Sequence, residues 1–496
     1  MVNAWPFRGG VHLPGYKQLS MQAPIGTAAL PAELIYPLQL RPGVNARAVV
    51  QAGERVLRGQ VIADSDHVLG TPLHAASSGV IRGIENRSVP HPSGLPAPCL
   101  ILDTDGQDEE WHYPSNADYR RLEPEAIRGM IRQAGIVGLG GAAFPTSVKL
   151  SPGPERRIDT LIINGAECEP YITCDDCLIQ AAPEQLIAGA QILMYALGIW
   201  RCTIAIEDTM PEAVAAVQKA LAAQHDRRID VVAVPTVYPT GGERQLISVV
   251  TGKETPSGGI PADVGVVCQN VGTAVAVYQA VCAGKPLTER IITVTGHGVA
   301  QPQNLRVRIG TPIKDLIRQC GGYTSQVERL IMGGPMMGFA LPDDEMPVIK
   351  ASNCILAASR DEVRTEKQAS PCIRCGDCAN ACPVGLLPQQ LYWYSRSENV
   401  ERCQDFHLAD CIECGCCDIV CPSHIPLVQH FRFAKGKLAA KAETAAQAEQ
   451  AKRRFELRNI RKEKENAEKA ARARQKKEAL AKIKSATTTT SGSDPS

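Results

Sequence analysis

Residues 371–385 read PCIRCGDCANACPVG, and residues 410–424 read DCIECGCCDIVCPSH. The cysteine spacing of the first stretch returns 39 residues later in the second. Each is Cys-x2-Cys-x2-Cys-x3-Cys-Pro: Cys372, Cys375, Cys378 and Cys382, then Cys411, Cys414, Cys417 and Cys421. Three thiolates in step wrap one corner of a [4Fe–4S] cube, and the cysteine before proline points away to the other cluster. The spacing therefore predicts one cluster on Cys372, Cys375, Cys378 and Cys421. The other falls on Cys411, Cys414, Cys417 and Cys382. Structural zinc is the competing reading, since Cys-x2-Cys pairs bind it. A third cysteine in step plus Cys-Pro, twice over, is not zinc spacing. Cys416 lies off the pattern and reads as a bystander.

The chain has 496 residues and nineteen cysteines, eight of them in this repeat. That length predicts several domains. No basic-then-apolar leader opens it, so a reducing compartment is expected rather than a secreted disulfide framework. Cys174 and Cys177 form an isolated Cys-x2-Cys and read as buried thiols. The longest apolar stretch, LIAGAQILMYALGIW at 186–200, falls short of the roughly 20 residues of a membrane span. Any membrane role is then peripheral.

Upstream of the repeat the grain changes several times. Residues 1–115 contain short apolar runs broken by glycine, which predicts a small barrel or sandwich. The stretch resembles the barrel-sandwich hybrid of lipoyl and biotinyl carriers. SDHVLGTPLHA, where those carry a modified lysine, has none. Residues 116–287 alternate helix and strand, predicting a largely parallel sheet. Residues 288–350 suit a β-grasp of the soluble-ligand-binding type, and 360–432 the twin-cluster ferredoxin-like helical module. Residues 433–496 form an Ala/Lys/Glu-rich tail: a solvated helix without a sustained apolar stripe, then a disordered end. The fold class is thus multidomain α/β and α+β. Net charge is +1, yet residues 435–485 carry 17 Lys/Arg against 7 Glu. This basic segment on an acidic body points to contact with anionic lipid or an acidic subunit. Nucleic acid is not expected, since Phe455 is the only aromatic of the basic segment 435–485.

GIVGLGGAAFPTSVK (135–149) lets backbone approach a flat or phosphorylated ligand, with Lys149 as a cation. NGAECEPYITCDD (164–176) follows a predicted buried strand, where ligand crevices form. These stretches resemble the FMN and NADH segments of the FMN-carrying subunit of respiratory NADH dehydrogenase. YPTGGERQLI (238–247) and CQNVGT (268–273) are similar to two further segments of that family. The resemblance implies flavin contacts at Gly138, Gly140, Lys149, Asn164, Gly241, Asn270 and Thr273. It implies nicotinamide-nucleotide contacts at Phe144, Lys149, Glu169 and Glu243, the two glutamates being the catalytic candidates. Ala166, Gly242, Gln269 and Gly272 depart from the family pattern, which favours FMN over a complete NAD(H) site.

The order of modules over about residues 1–435 resembles the RnfC family, a component of the ion-translocating Rnf electron-transport complex. The resemblance implies a peripheral subunit on the cytoplasmic face of the bacterial inner membrane. It would pass electrons between NAD(H), through FMN, and partner subunits or ferredoxin by way of two [4Fe–4S] clusters. Ion translocation would lie in other subunits. The alternatives are an iron–sulfur relay with a degenerate flavin site, a soluble NAD-linked dehydrogenase or hydrogenase subunit, or part of a system keeping a redox-sensing regulator reduced.

Overall fold

The computed structural model of the protein describes residues 4–116, 118–363 and 368–488. The end of the tail, expected to be disordered, lies at 489–496 outside these residues.

The first β module is two facing sheets. Strands Glu33–Pro37, Pro96–Thr104, Gly79–Ser88 and Arg55–Val56 form one. Arg47–Ala48, Val61–Asp64 and Leu73–His74 form the other. Leu34, Tyr36, Val56, Ile62, Ile81, Leu100 and Leu102 fill the space between them. Gly79–Ser88 begins by alternating buried and exposed residues, as a one-sided strand must.

The α/β domain has a four-stranded parallel sheet in the order Ile229–Val234, Cys202–Glu207, Thr160–Gly165, Val266–Asn270. Both faces are covered, as parallel sheets require. Leu161 and Ile163 point into the core under Pro183–Leu197 and Val271–Ala283. Ile162 points the other way, against Leu246 and Ile247 of helix Glu243–Thr251. The two covering helices touch at Gly189, where an added Cβ would sit 1.9 Å from Ala274 O.

The β-grasp sheet is larger than the sequence outlines. Its six strands run Gly26–Thr27, Gln303–Arg308, Glu289–Thr295, Cys354–Ser359, Val327–Met332, Phe339–Leu341, with helix Ile313–Gln319 packed into its core. Cys354–Ser359 lies past the expected limit at residue 350, yet all six of its residues are buried in the middle of the sheet. Gly26–Thr27 joins one edge from the far N-terminus.

The cysteine module is built twice. Short helices Asp377–Asn380 and Cys416–Ile419 follow the third-cysteine turns, and longer helices start at Pro388 and Leu427. Each pair is offset by the 39-residue repeat. The expected tail helix therefore begins at Leu427 rather than 433, because its first turns complete the second repeat. Val428, Phe431 and Ala434 pack on Leu391, Tyr392 and Leu408. Lys437 and Lys441 pair with Glu398 and Glu401. Beyond these turns the 62-residue helix runs on to Thr488, almost wholly exposed as far as Ser485.

Residues 4–20, which the sequence groups with the N-terminal β region, instead strap these parts together. Trp5 N donates to Val249 O at 2.7 Å, and Gly10 N to Ala381 O at 2.9 Å. Val11 and Tyr238 exchange both backbone hydrogen bonds, at 2.9 and 3.0 Å. Gly10 has φ +78°, and a Cβ there would lie 2.7 Å from Tyr238 O, so only glycine fits the crossing.

The Gly189 contact yields a stability prediction. Gly189→Val should cost roughly 1–3 kcal/mol by overpacking, read as a lower urea midpoint. A variant with an unchanged midpoint would mean the two helices can part freely.

Candidate functional site

The glycine-rich loop crosses the C-terminal edge of the parallel sheet. Gly138 N donates to Phe144 O at 2.8 Å and Ala143 N to Gly138 O at 3.1 Å, closing a tight loop. Leu139 N donates to Thr273 Oγ1 at 2.9 Å, and that hydroxyl reaches Val137 O at 3.3 Å. Thr273 is thus buried support for the loop. Gly140 lies over Asn270: an added Cβ would stand 3.5 Å from the Asn270 side chain.

Asn164 and Asn270 are register partners on adjacent strands. Asn164 Nδ2 donates to Gly241 O at 2.9 Å, and its Oδ1 accepts from Ala166 N at 3.0 Å. Asn270 Oδ1 caps the next helix through Gly272 N at 2.8 Å, while Nδ2 donates to Asp175 Oδ2 at 2.6 Å. Gly241 has no room for a side chain, since a Cβ would fall 2.3 Å from Ala166 O. Lys149 pairs with Glu243 Oε1 at 2.6 Å and also donates to Cys268 O at 3.1 Å. Phe144, partly buried, lies under the guanidinium of Arg41 at 5.3 Å. Gly138, Gly140, Lys149, Asn164, Gly241, Glu243, Asn270 and Thr273 are thus linked around the C-terminal ends of strands Thr160–Gly165 and Val266–Asn270, the side of a parallel sheet where ligand crevices form.

Glu169 stands apart from the Lys149–Glu243 pair. Its carboxylate accepts from Met336 N at 3.2 Å and Met337 N at 2.7 Å, in the β-grasp. Burial pushes its pKa up to about 7. Glu167 lies in the 164–176 segment that the sequence places after a buried strand. It is buried, accepts from Asp175 N at 2.9 Å and pairs with Lys17 at 3.8 Å. Glu207 escaped notice altogether, because it only ends an apolar strand. It is fully buried, and neither carboxylate oxygen has a hydrogen-bond partner among the described residues. Burial pushes its pKa to about 7 as well.

The eight repeat cysteines gather in two cavities. Cys372, Cys375, Cys378 and Cys421 line one. Cys382, Cys411, Cys414 and Cys417 line the other. These are the cross-paired quartets that the spacing predicts. All eight thiols are free of disulfides. The turns match as well: Arg374 and Glu413 have φ +60° and +58°, Gly376 and Gly415 +89° and +79°.

A single zinc with bonds near 2.3 Å would hold its four sulfurs within roughly 4 Å of each other. Among the described residues, no three cysteine sulfurs lie within 4.8 Å of one another. The quartets are not closed around one ion. Cys416, off the pattern, is buried against Tyr238 O at 3.8 Å. The same tyrosine's hydroxyl donates to Cys414 O at 2.8 Å. The segment carrying Gly241 and Glu243 thus begins on the wall of the second cavity.

Comparison with known proteins follows this anatomy. Residues 131–279 match the Nuo51 FMN-binding domain, 5–107 the RnfC barrel sandwich hybrid domain, 291–340 the SLBB domain and 371–425 a 4Fe-4S dicluster domain. The chain is 46% identical over 479 residues to the C subunit of the ion-translocating oxidoreductase complex of Pectobacterium atrosepticum, covering 97% of this chain and 68% of that one. This chain belongs to that family of C subunits. The matched domains here include an FMN-binding domain and a 4Fe-4S dicluster domain. Relatives of the same name from Pseudomonas aeruginosa and Vibrio cholerae are 46% and 45% identical over 92% and 95% of this chain. The chain spans only 58% and 60% of their lengths. Among solved structures, an NAD+-reducing [NiFe]-hydrogenase in the H2-reduced state gives a TM-score of 0.46 at 20% identity, covering 66% of this chain and 63% of its own. That likeness is too loose to bear on function.

Glu207 provides a pH prediction. Its folded pKa is raised above the usual carboxylate value, so the folded state keeps a proton that the unfolded chain releases near pH 4.5. Its contribution to stability is full below that pH and is lost as pH rises toward 7. Glu207→Gln should flatten the fall in Tm between pH 5 and 7.5. An identical slope in the parent and the variant would show that Glu207 does not titrate there.

Proposed function

We propose that the chain carries electrons between NAD(H) and partner subunits of a membrane-bound ion-translocating oxidoreductase, through one FMN and two [4Fe–4S] clusters. The observation that carries this reading is Tyr238. It bonds the cavity wall at Cys414 and opens the segment that holds Gly241 and Glu243. The glycine crevice and the second cysteine quartet are thereby adjacent parts of one path.

FMN, when bound, takes electrons in pairs and releases them singly. The chain's own residues hold and orient it. Gly138 and Gly140 leave room for it, Asn164 and Asn270 fix the strand ends beneath it, and Thr273 fixes the loop. The Lys149–Glu243 pair and Phe144 stand where a nucleotide would enter, with Glu169 bridging to the β-grasp. A cluster on Cys382, Cys411, Cys414 and Cys417 would stand nearer the flavin, since Cys414 O accepts from Tyr238 of the segment that carries Gly241 and Glu243. The quartet of Cys372, Cys375, Cys378 and Cys421 follows, and exposed Cys375 marks its outer edge.

No helix among the described residues is long and apolar enough to cross a membrane. The reading therefore assigns ion movement to other subunits and places this one peripherally, on the cytoplasmic face. Its basic helix would lie against anionic lipid or an acidic subunit, and ferredoxin would be reached through partners.

Anaerobically reconstituted protein tests the reading. One FMN, about eight irons and clusters that NADH reduces by EPR are expected. Irons without flavin or NADH response would favour a relay with a degenerate crevice, for which Gly242 in place of an acidic residue is the motive. Cross-pairing has its own check. Cys382→Ser and Cys411→Ser should leave the same surviving cluster spectrum, and Cys372→Ser and Cys421→Ser the other. Matching spectra from Cys382→Ser and Cys372→Ser would rule it out.

A further inference from the structure

The glycine-rich loop is gripped from behind by two buried cations that belong to the β-grasp side of the molecule. Arg290 lies on strand Glu289–Thr295 and is only 6% exposed. Its Nη2 donates to Leu139 O at 2.9 Å, Nη1 donates to Lys350 O, and Nε reaches Ile291 O at 3.5 Å. Lys350 is equally enclosed. Its Nζ donates to Gly135 O and Pro72 O, both at 2.7 Å, and to Thr71 Oγ1 at 3.4 Å.

Every one of these bonds ends on a carbonyl or hydroxyl oxygen. Buried cations are ordinarily paired with carboxylates, because taking a charge out of water is costly. Burial accordingly holds Arg290 below its usual value and Lys350 at about 7. Three acceptors around Nζ call for three donors, so the geometry is that of the ammonium form. Asp175 and Cys174 are the groups facing Arg290, and Asp64 and His74 those facing Lys350. Asp175 is itself bonded to Asn270 at 2.6 Å, so Arg290 acts on the crevice from two sides.

The Leu139–Gly140 peptide is where this matters. Thr273 holds Leu139 N–H, and Arg290 holds Leu139 C=O. A trans peptide is planar, with its C=O and the following N–H pointing in opposite directions. Drawing the carbonyl back to Arg290 turns the Gly140 N–H outward, on the side away from Arg290. No hydrogen bond from that N–H is found among the described residues.

We propose that Arg290 and Lys350 are positioning residues for the flavin site: together they hold the loop so that the Gly140 N–H faces away from them, and the Arg290 guanidinium sets positive charge behind it, raising the reduction potential of bound FMN. This rests on the flavin reading above. It makes the β-grasp a working part of the redox site rather than a spacer. A fixed positive charge in a low-dielectric wall favours whichever redox state is more negative, so its removal lowers the potential.

The test uses full-length, cluster-loaded protein and FMN itself. FMN affinity is read by fluorescence quenching, and the potential of bound FMN by redox titration at pH 7. Arg290→Gln should weaken FMN about tenfold, as the loss of a charge-assisted hydrogen bond does, and lower the potential. Arg290→Lys keeps the charge but cannot reach both Leu139 O and Lys350 O. It should restore most of the potential but not the affinity. Lys350→Met should lower the potential in the same direction. Cluster EPR should be unchanged throughout.

Failure of the parent to bind FMN would overturn the flavin reading itself. A parent that binds FMN, with variants that match it in affinity and potential, would overturn the positioning role alone. A variant with lower Tm and occupancy but an unmoved potential would also overturn it. Should Arg290→Gln not fold, Arg290→Lys and Lys350→Met decide by the same readouts.

Discussion

The arrangement of this molecule hangs on the junction at Tyr238. Its backbone is clamped in both directions by Val11, and its hydroxyl is bonded to Cys414. The crevice is built by one domain and the cysteine cavities by another more than a hundred residues away. Their relation is fixed by a strap from the N-terminus that pairs with the first domain while Gly10 N bonds Ala381. Without the strap the two units would be joined by the chain between them and by surface contacts. With it, three segments distant in sequence close on one tyrosine, and the distance between crevice and cavity is set by backbone hydrogen bonds.

Around that junction the protein buries more acid than its cations balance. Glu167, Glu169, Asp175 and Glu207 all have pKa values raised by burial, and Lys17 is the cation that recurs beside them. Such groups are costly to a fold and are kept where charge changes nearby are part of the work. Arg290 and Lys350 supply the opposite sign from the other side of the loop. The glycine-rich loop thus lies between a wall of readily neutralised acids and the buried Arg290 and Lys350.

Much of this was legible in the sequence, for physical reasons. Thiolate spacing is local, so the repeat specified both quartets, cross-pairing included. Strand ends followed by Asn164 and Asn270 were legible because a parallel sheet places its crevice there. What escaped notice depends on contacts between distant segments. The strap at 4–20 has no periodicity of its own. Strand Cys354–Ser359 was left out of the β-grasp because a short apolar run after a domain's apparent end carries no partner information. Glu169 could be matched to a motif, but not its capture by Met336 and Met337. Glu207, Arg290 and Lys350 are single charged residues in or beside apolar runs. Only the fold shows that they are buried.

The interlocked cysteines also carry a symmetry. If the proposed pairing holds, each repeat would supply three ligands to one cube and its fourth to the other, so neither repeat could complete a cluster alone. The repeats would then stand to each other as two copies in an isologous pair, each lending its Cys-Pro cysteine to its twin. The matching turns at Arg374 and Glu413, and helices starting at Pro388 and Leu427, have that relation. It ends where the second copy's final helix runs on to Thr488.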